Sequence, residues 1–307
     1  MRSSLACVLL TLTASWAWAG PGIRWSLEIE PGVAHAKKTK QPIMFYVKGS
    51  SGGDDDIEDY ERDHKHAFSD PVVYALSKNF VCLQLSRSRY RKQLEDWQIS
   101  PRTNLDIVFA EPGGAKLDQI SASAVSSPST LAEKMRQIRR RWVDQLFNAE
   151  VRPVFEKAEP TAKELQDALG IVIEFGMTAA DQSVIKLLAA NPDKRTIMKC
   201  LDALAATSSK EAVEALVERA GAGDKLADKA LSQCTPAAVE YLLPQIGGDD
   251  AAAHLIAYRA VAKICKIERA KPDRFWSGPN LAARNEEIER TRELAERYAE
   301  RWKAKQP

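Results

Sequence analysis

The first half of the chain alternates short apolar runs with polar stretches. Residues 42–47, 80–85 and 105–110 are each mostly apolar, and runs of this length and character indicate buried strands. The sequence EPGG at 111–114 is a turn signal, and apolar and polar residues alternate at 116–121. The last two segments are therefore predicted to form a hairpin.

Helical patterns fill the gaps between these strands. Asp70 followed by Pro71 predicts the start of a short helix. Thr130 and Glu133 have the spacing of a capping box and predict the start of a longer helix, in which apolar residues recur every three or four positions as far as Leu146. Because strands interleaved with helices pack as layers, the first half is predicted to be an α/β domain.

From Thr161 onward the strand pattern stops and helical segments repeat. The pattern Val-x-x-Leu-Leu/Val begins at Val184, Val213 and Val239, and each copy is followed by a polar turn and a second helix rich in Ala and Leu. One unit is thus predicted to be a helical hairpin, and neighbouring hairpins must stack to bury their apolar faces. The array resembles short HEAT-type repeats, and an irregular helical bundle is the alternative.

A break at residues 275–279 ends the repeats. Residues 281–305 read as one long charged helix, which we expect to cap the array. Its less polar stripe consists of Ile288, Thr291, Ala295, Tyr298 and Trp302.

The N-terminus reads as an export signal. A basic Arg2 precedes an apolar run, and Ala17-Trp18-Ala19 supplies a small-x-small cleavage pattern, so a signal peptide cleaved after Ala19 is predicted. Cys7 lies inside the apolar run, which argues against a lipidated cysteine. No later stretch is long and apolar enough to span a membrane. We therefore expect an exported protein, periplasmic or extracellular.

Charge and cysteine content narrow the function classes. The chain has 44 basic and 42 acidic residues among 307, so bulk charge gives no support to nucleic-acid binding. A hydrophobic fraction of 45% over the whole chain excludes the class of intrinsically disordered proteins. Four cysteines would remain after export, each within an apolar run: Cys82, Cys200, Cys234 and Cys265. They are predicted to be small buried hydrophobes, and disulfides are the alternative in an oxidising compartment.

Three segments of the first half, taken in order, resemble secreted thioredoxin-like proteins. Trp25 and the Lys- and Ala-rich stretch at 34–42 are similar to the helix that leads into the first central strand of that group. The sequence FSDPVV at 68–73 matches its Phe-Ser-Asp-Pro segment, and LDIVFAEPGG at 105–114 resembles its hairpin strand and turn. The resemblance covers about residues 25–142 and implies a thioredoxin-like fold.

The chain departs from that group at its chemical residues. Thioredoxin-like enzymes place Trp-Cys-x-x-Cys just after the first central strand, where a helix N-terminus lowers the pKa of the thiol. Here Ser51 and Asp54 stand near the two cysteine positions, and Leu105 stands at the position of the cis-proline. Serine cannot form a disulfide, so the resemblance implies a retained fold without redox chemistry, catalytic residues or a cofactor.

The stretch that replaces the redox pair is strongly acidic. Seven carboxylates lie within ten residues: Asp54, Asp55, Asp56, Glu58, Asp59, Glu61 and Asp63. We interpret the stretch as a solvated acidic loop that docks a basic partner. Calcium is an alternative ligand, although the spacing is not that of an EF-hand. A transition metal held by Asp63, His64 and His66 is a further alternative, and no metal ligand is assigned.

Basic residues in the same half of the chain offer a counter-charge. They follow the second strand and crowd the last helix: Arg87, Arg89, Arg91, Lys92, Lys134, Arg136, Arg139, Arg140 and Arg141. They are either a solvated face that pairs with the acidic loop or a contact for phosphate or anionic lipid. Aromatic residues are not interleaved with them, so nucleic-acid binding is not expected.

The combined prediction is a signal peptide at 1–19, a thioredoxin-like domain at 20–150, a linker at 151–160, helical repeats at 161–268 and a C-terminal helix at 269–307. Because repeat arrays present extended binding surfaces, the sequence favours an exported, non-catalytic adaptor for another envelope or periplasmic protein. Two alternatives stay open. One is a thiol–disulfide oxidoreductase or isomerase-like protein that uses a lone cysteine, and the other is a calcium-binding module.

Overall fold

A computed structural model describes residues 22–49, 55–100 and 104–303. The predicted signal peptide and the positions Ser51 and Asp54 lie outside these residues. The chain divides into two compact units, with the division between Glu133 and Lys134. The first unit is mixed α/β and the second is helical, which agrees with the predicted order of an α/β region followed by an all-α region.

The first unit contains four strands and six helices within the described residues. In chain order they are α1 (Ile29–Thr39), β1 (Ile43–Lys48), α2 (Asp55–Ser69), α3 (Pro71–Ser77), β2 (Val81–Ser86), α4 (Arg91–Asp96), β3 (Ile107–Ala110), β4 (Lys116–Ile120), α5 (Ala122–Val125) and α6 (Pro128–Leu146). The division between the units falls inside α6.

The strands form one sheet in the order β2-β1-β3-β4. β1 and β2 are parallel, whereas β3 is antiparallel to β1 and forms the predicted hairpin with β4. Alternate β1 residues such as Phe45 and Val47 join a core with α1 and α4 residues, and Phe45 stacks on Trp97 with ring centroids 5.0 Å apart. The central strands are buried because helices pack on this sheet, which is what their continuous apolar runs predict.

The two predicted helix starts in this unit have different outcomes. Asp70 caps α3 as predicted, since its carboxylate accepts the amide hydrogens of Val72 and Val73 at 2.9 and 3.0 Å. The prediction of a capping box at Thr130 is wrong, because α6 already begins at Pro128. Proline fits the first turn of a helix, where its missing N–H costs nothing.

The second unit contains a π-helical turn, several short 3₁₀ turns and ten further helices among the described residues. The π-helical turn is Phe147–Val151. The helices are α7 (Arg152–Glu156), α8 (Ala162–Phe175), α9 (Asp181–Ala189), α10 (Lys194–Thr207), α11 (Lys210–Gly221), α12 (Lys225–Leu231), α13 (Val239–Leu242), α14 (Ala251–Ile264), α15 (Asp273–Trp276) and α16 (Leu281–Lys303). The segment predicted as a linker thus holds a short helix.

The three predicted hairpins are present as α9–α10, α11–α12 and α13–α14. An aspartate at the end of each connecting turn caps the second helix of the pair: Asp193, Asp224 and Asp250. Two hydroxyls join successive hairpins. The Ser209 hydroxyl donates to the Asp181 carboxylate at 2.6 Å, and Thr235 N–H donates to the Ser208 hydroxyl at 2.9 Å. The hairpins are therefore linked by specific hydrogen bonds as well as by packing.

The last helix packs on the array as expected. α16 contacts α13 and α14, and Thr291 and Ala295 of its predicted stripe are fully buried. Glu287 is also buried and belongs to the same face. The long charged helix is confirmed over the described residues, and its contacting face is more polar than the stripe suggested.

Candidate functional site

The acidic stretch is helical, not a loop as predicted. Helix α2 begins at Asp55, directly after the Gly- and Ser-rich segment that follows β1. Two properties of the sequence explain the helix. Acidic residues in a first helical turn interact favourably with the helix dipole, and Tyr60, His64 and Phe68 recur at four-residue spacing, which places them on one face. The net polarity of the stretch concealed this periodicity.

The structure places the seven predicted carboxylates in three settings. Asp54 lies outside the described residues. The first turns of α2 are formed by the backbone of residues 55–59, which include Asp55, Asp56, Glu58 and Asp59. Glu61 pairs with Lys48 at the end of β1, with Nζ and Oε1 2.8 Å apart. Asp63 is half exposed, with its carboxylate 4.0 Å from Nε of Arg62. Only Glu61 is thus tied to the sheet by a described contact.

His64 is buried, although the sequence placed it in an exposed polar run. Its ring is fully shielded from solvent, with Nε2 2.6 Å from the Ala122 carbonyl oxygen and Nδ1 3.1 Å from the Tyr46 hydroxyl. The carbonyl oxygen can only accept, so Nε2 carries the proton and Nδ1 accepts from Tyr46. Both nitrogens are occupied within the protein, so the interpretation of His64 as a metal ligand is wrong.

Tyr46 and His64 belong to a network that the sequence did not reveal. Asp106 lies beside it, and its two carboxylate oxygens accept from Ala122 N–H at 2.9 Å and from the Gln119 side chain at 2.5 Å. Burial raises the pKa of Tyr46, with Glu61 adding to the effect. Burial lowers the pKa of His64 against the opposing influence of the Ala122 carbonyl and nearby carboxylates. The network fastens α2 to β1 and α5 while His64 stays neutral.

Leu105, at the predicted cis-proline position, lies next to the end of β1. Its backbone is left-handed, with φ of 57°, and its N–H donates to the Val47 carbonyl at 2.6 Å. Asn104, the residue before Leu105, accepts a hydrogen bond from Gly49 N–H with its side-chain oxygen. A Cβ at Gly49 would collide with that side chain. The segment before β3 is therefore held against β1 by hydrogen bonds to Val47 and Gly49.

The described cysteines are poor nucleophiles. Burial raises the pKa of Cys82, Cys200 and Cys234 to about 12 and that of Cys265 to about 11. None of these four is in a disulfide. Because the thiolate is the reactive form, none of the four has the environment of a catalytic thiol. The prediction of burial is confirmed for the three cysteines of the second unit, whereas Cys82 is only partly buried.

Arg91 and Arg139 of the predicted basic set have described settings. Arg91 pairs with Glu95 on its own helix at 3.7 Å. Arg139 is partly buried, and burial lowers its pKa. Within the described residues no cluster of three or more His, Cys, Asp or Glu side chains has the arrangement of a metal site. The described side chains do not include those of residues 54–59.

Three comparisons with known proteins found no match to this chain. No protein family, curated protein or solved structure matches it. Across the described residues, no helix has the length and apolar character to cross a bilayer.

Proposed function

We propose that this protein is an exported, non-catalytic adaptor. In this proposal the first unit is a thioredoxin-like domain without redox thiols, the second is a short array of HEAT-like hairpins, and the two carry surfaces that bind another protein of the cell envelope or periplasm. The proposal combines the resemblance in the sequence with the positions of the acidic helix and the buried thiols.

The order of elements supports the thioredoxin-like resemblance. A lead-in helix α1 precedes the central strand β1, a helix α2 follows it, and β3 opens a hairpin, which is the order that the resembling segments imply. Leu105 lies two residues before the start of β3 at Ile107, close to the place that the resemblance gives to the proline. The resemblance and the topology thus point to the same alignment of the chain.

One observation carries the non-catalytic part of the proposal. The segment from β1 into α2, where a thioredoxin-like enzyme carries its cysteines, contains none. Desolvation raises the pKa of the described thiols elsewhere to about 11 or 12. A helix N-terminus would have activated a thiol at this place. In this chain the first turn of α2 carries aspartates instead, and carboxylates do not perform thiol exchange.

The acidic helix supports a binding role for the same edge of the domain. Its carboxylates begin after the Gly- and Ser-rich segment that follows β1, and Asp63 is half exposed. The buried face of α2 is held by Tyr46 and the Ala122 carbonyl through His64, which leaves the polar residues of the helix, such as Asp63, on its other side. Complementary charge steers association with a basic partner.

The test is in-cell crosslinking with a charge variant of α2. Asp55, Asp56, Glu58, Asp59 and Asp63 are changed to Asn or Gln, and Glu61 is kept because it pairs with Lys48. A partner that crosslinks to the wild type and is lost in this variant would support the adaptor role and place its contact on α2.

A matched control changes five exposed glutamates of α16 to Gln: Glu286, Glu289, Glu293, Glu296 and Glu300. It removes the same number of charges and is expected to retain the partner. If both variants retain it, the contact lies elsewhere and the docking role of α2 is wrong. If the wild type engages no partner in the envelope, the adaptor function is wrong.

A further inference from the structure

Buried polar groups without partners concentrate around the last three helices of the second unit. His254 of α14, Trp276 of α15 and Thr291 of α16 are 8%, 6% and 0% exposed. Their polar atoms Nε2, Nε1 and Oγ1 have no hydrogen-bond partner among the described residues, and neither does Nε of Arg284 in α16. We call these four residues the donor cluster. Such groups are rare in folded proteins unless a bound molecule satisfies them.

Contacts bring the members of the donor cluster together. The rings of His254 and Trp276 meet edge to face, with centroids 4.4 Å apart. Arg284 donates from Nη1 to the Trp276 carbonyl oxygen at 2.8 Å. Three of the four residues are therefore adjacent through direct contacts.

The position of α16 along α14 places Thr291 near the other members of the donor cluster. Glu287 accepts from the Tyr258 hydroxyl at 3.0 Å, and Arg292 donates to the Ile246 carbonyl oxygen at 2.8 Å. The two helices therefore run in opposite directions. Thr291, one turn after Glu287, lies level with His254, which is one turn before Tyr258.

The proton positions in this cluster are set by chemistry. Gly247 N–H donates to Nδ1 of His254 at 2.8 Å, so Nδ1 presents its lone pair and neutral His254 carries its proton on Nε2. The indole Nε1 of Trp276 and Nε of Arg284 can only donate, and the Thr291 hydroxyl can donate as well. The cluster thus offers four donors, and its partner must be an acceptor.

The local charge favours an anion over a neutral acceptor. Arg284 is cationic, and no carboxylate of the described chain forms an ion pair with it. The buried carboxylate of Glu287 is engaged by Arg290, at 2.8 and 2.9 Å, and by Tyr258. The positive charge of Arg284 also lowers the pKa of His254, in addition to burial, which keeps this ring neutral with its single Nε2 proton.

We propose that the donor cluster binds one small monovalent anion of halide size between α14, α15 and α16. The anion accepts hydrogen bonds from Nε2 of His254, Nε1 of Trp276 and Oγ1 of Thr291, and Arg284 balances its charge. Bound there, it joins the last helix of the chain to the third hairpin. This site is separate from the acidic helix and does not depend on the proposed adaptor function.

The direct test is diffraction from crystals of the wild-type protein grown in sodium bromide. The expected result is an anomalous bromide peak in contact with His254 Nε2 and Trp276 Nε1. A peak-free map, or density at the cluster without anomalous signal, would show that the acceptor is water or that the donors are satisfied by neighbouring rings. Either result would overturn the proposal.

A solution test uses the melting temperature in sodium chloride and in sodium gluconate at equal ionic strength, so that screening is the same. Ligands that bind the folded state raise the melting temperature with concentration. We expect chloride to raise it in the wild type and the Thr291→Val variant to lose at least half of that rise. The control Thr207→Val removes a hydroxyl that already donates to the Leu204 carbonyl oxygen, and it should keep the full rise. Equal melting temperatures in the two salts for the wild type would contradict the site.

Discussion

At the scale of single residues, neighbours decide what a titratable side chain does. His64 and His66 are two positions apart in the same polar stretch, yet His64 is fully buried and His66 is exposed on α2. The Tyr46 hydroxyl and the Ala122 carbonyl occupy both nitrogens of His64. A histidine that looks like a metal ligand in the sequence is therefore a neutral structural tie.

This tie predicts a pH dependence of stability. Burial lowers the pKa of His64 from its usual 6.5, so the unfolded chain binds a proton at a higher pH than the folded chain does. The contribution of neutral His64 is complete above pH 6.5 and is lost as the pH falls from there toward the folded pKa. The free energy of unfolding, measured with urea, should fall as the pH is lowered from about 7.5 to about 5.

The His64→Gln variant isolates this contribution from other groups. Glutamine can donate to the Ala122 carbonyl and does not titrate, so its unfolding free energy should fall less over the same pH interval. Equal losses in the wild type and the variant would mean that His64 contributes nothing to the pH dependence.

At the scale of secondary structure, the turns between paired helices follow a single rule. Each ends in an aspartate whose side chain caps the following helix, as Asp250 does by accepting from Ala252 and Ala253 N–H at 2.8 and 3.1 Å. The first helices of the pairs begin less uniformly. Ser208 ends α10 with a left-handed backbone, and the neighbouring Ser209 caps α11.

The regular caps allow a quantitative prediction for α14. Asp250→Ala removes both hydrogen bonds at the helix start, so it should lower the free energy of unfolding by about 1 kcal/mol. Asp250→Asn keeps an acceptor and should change it by only a few tenths, about 0.3 kcal/mol. Urea denaturation measures both values, and an alanine variant as stable as the wild type would rule out the cap as a stabilising feature.

At the scale of the whole molecule, stability of the helical unit depends on links between hairpins. Ser208 is buried at such a link, where its hydroxyl donates to the Ala205 carbonyl at 2.6 Å and accepts from Thr235 N–H at 2.9 Å. Stacked helical hairpins stabilise one another through their shared interfaces, so a change at one link should affect the hairpins on both sides.

Ser208→Ala should therefore destabilise the second unit by about 1–3 kcal/mol, because Thr235 N–H loses its acceptor. Hydrogen exchange should rise in both α11–α12 and α13–α14. The control Ser232→Ala removes a hydroxyl whose described hydrogen bond stays within its own turn, to the Asp228 carbonyl oxygen at 3.1 Å, and it should cost less than about 0.5 kcal/mol. Faster exchange confined to residue 208 and its immediate neighbours would contradict the link.

The sequence by itself determined the local elements of this protein. Four strands, the hairpin, the helix opened by Asp70 and the three helical pairs follow from periodicity and capping residues, which act over a few positions. The tertiary structure decided what distant residues do together. It made the acidic stretch a helix through the face packed by Tyr60, His64 and Phe68, and it placed Tyr46, His64 and Asp106 side by side. It also assembled His254, Trp276, Arg284 and Thr291 from three helices. These arrangements depend on contacts between segments far apart in the chain, and periodicity carries no information about such contacts.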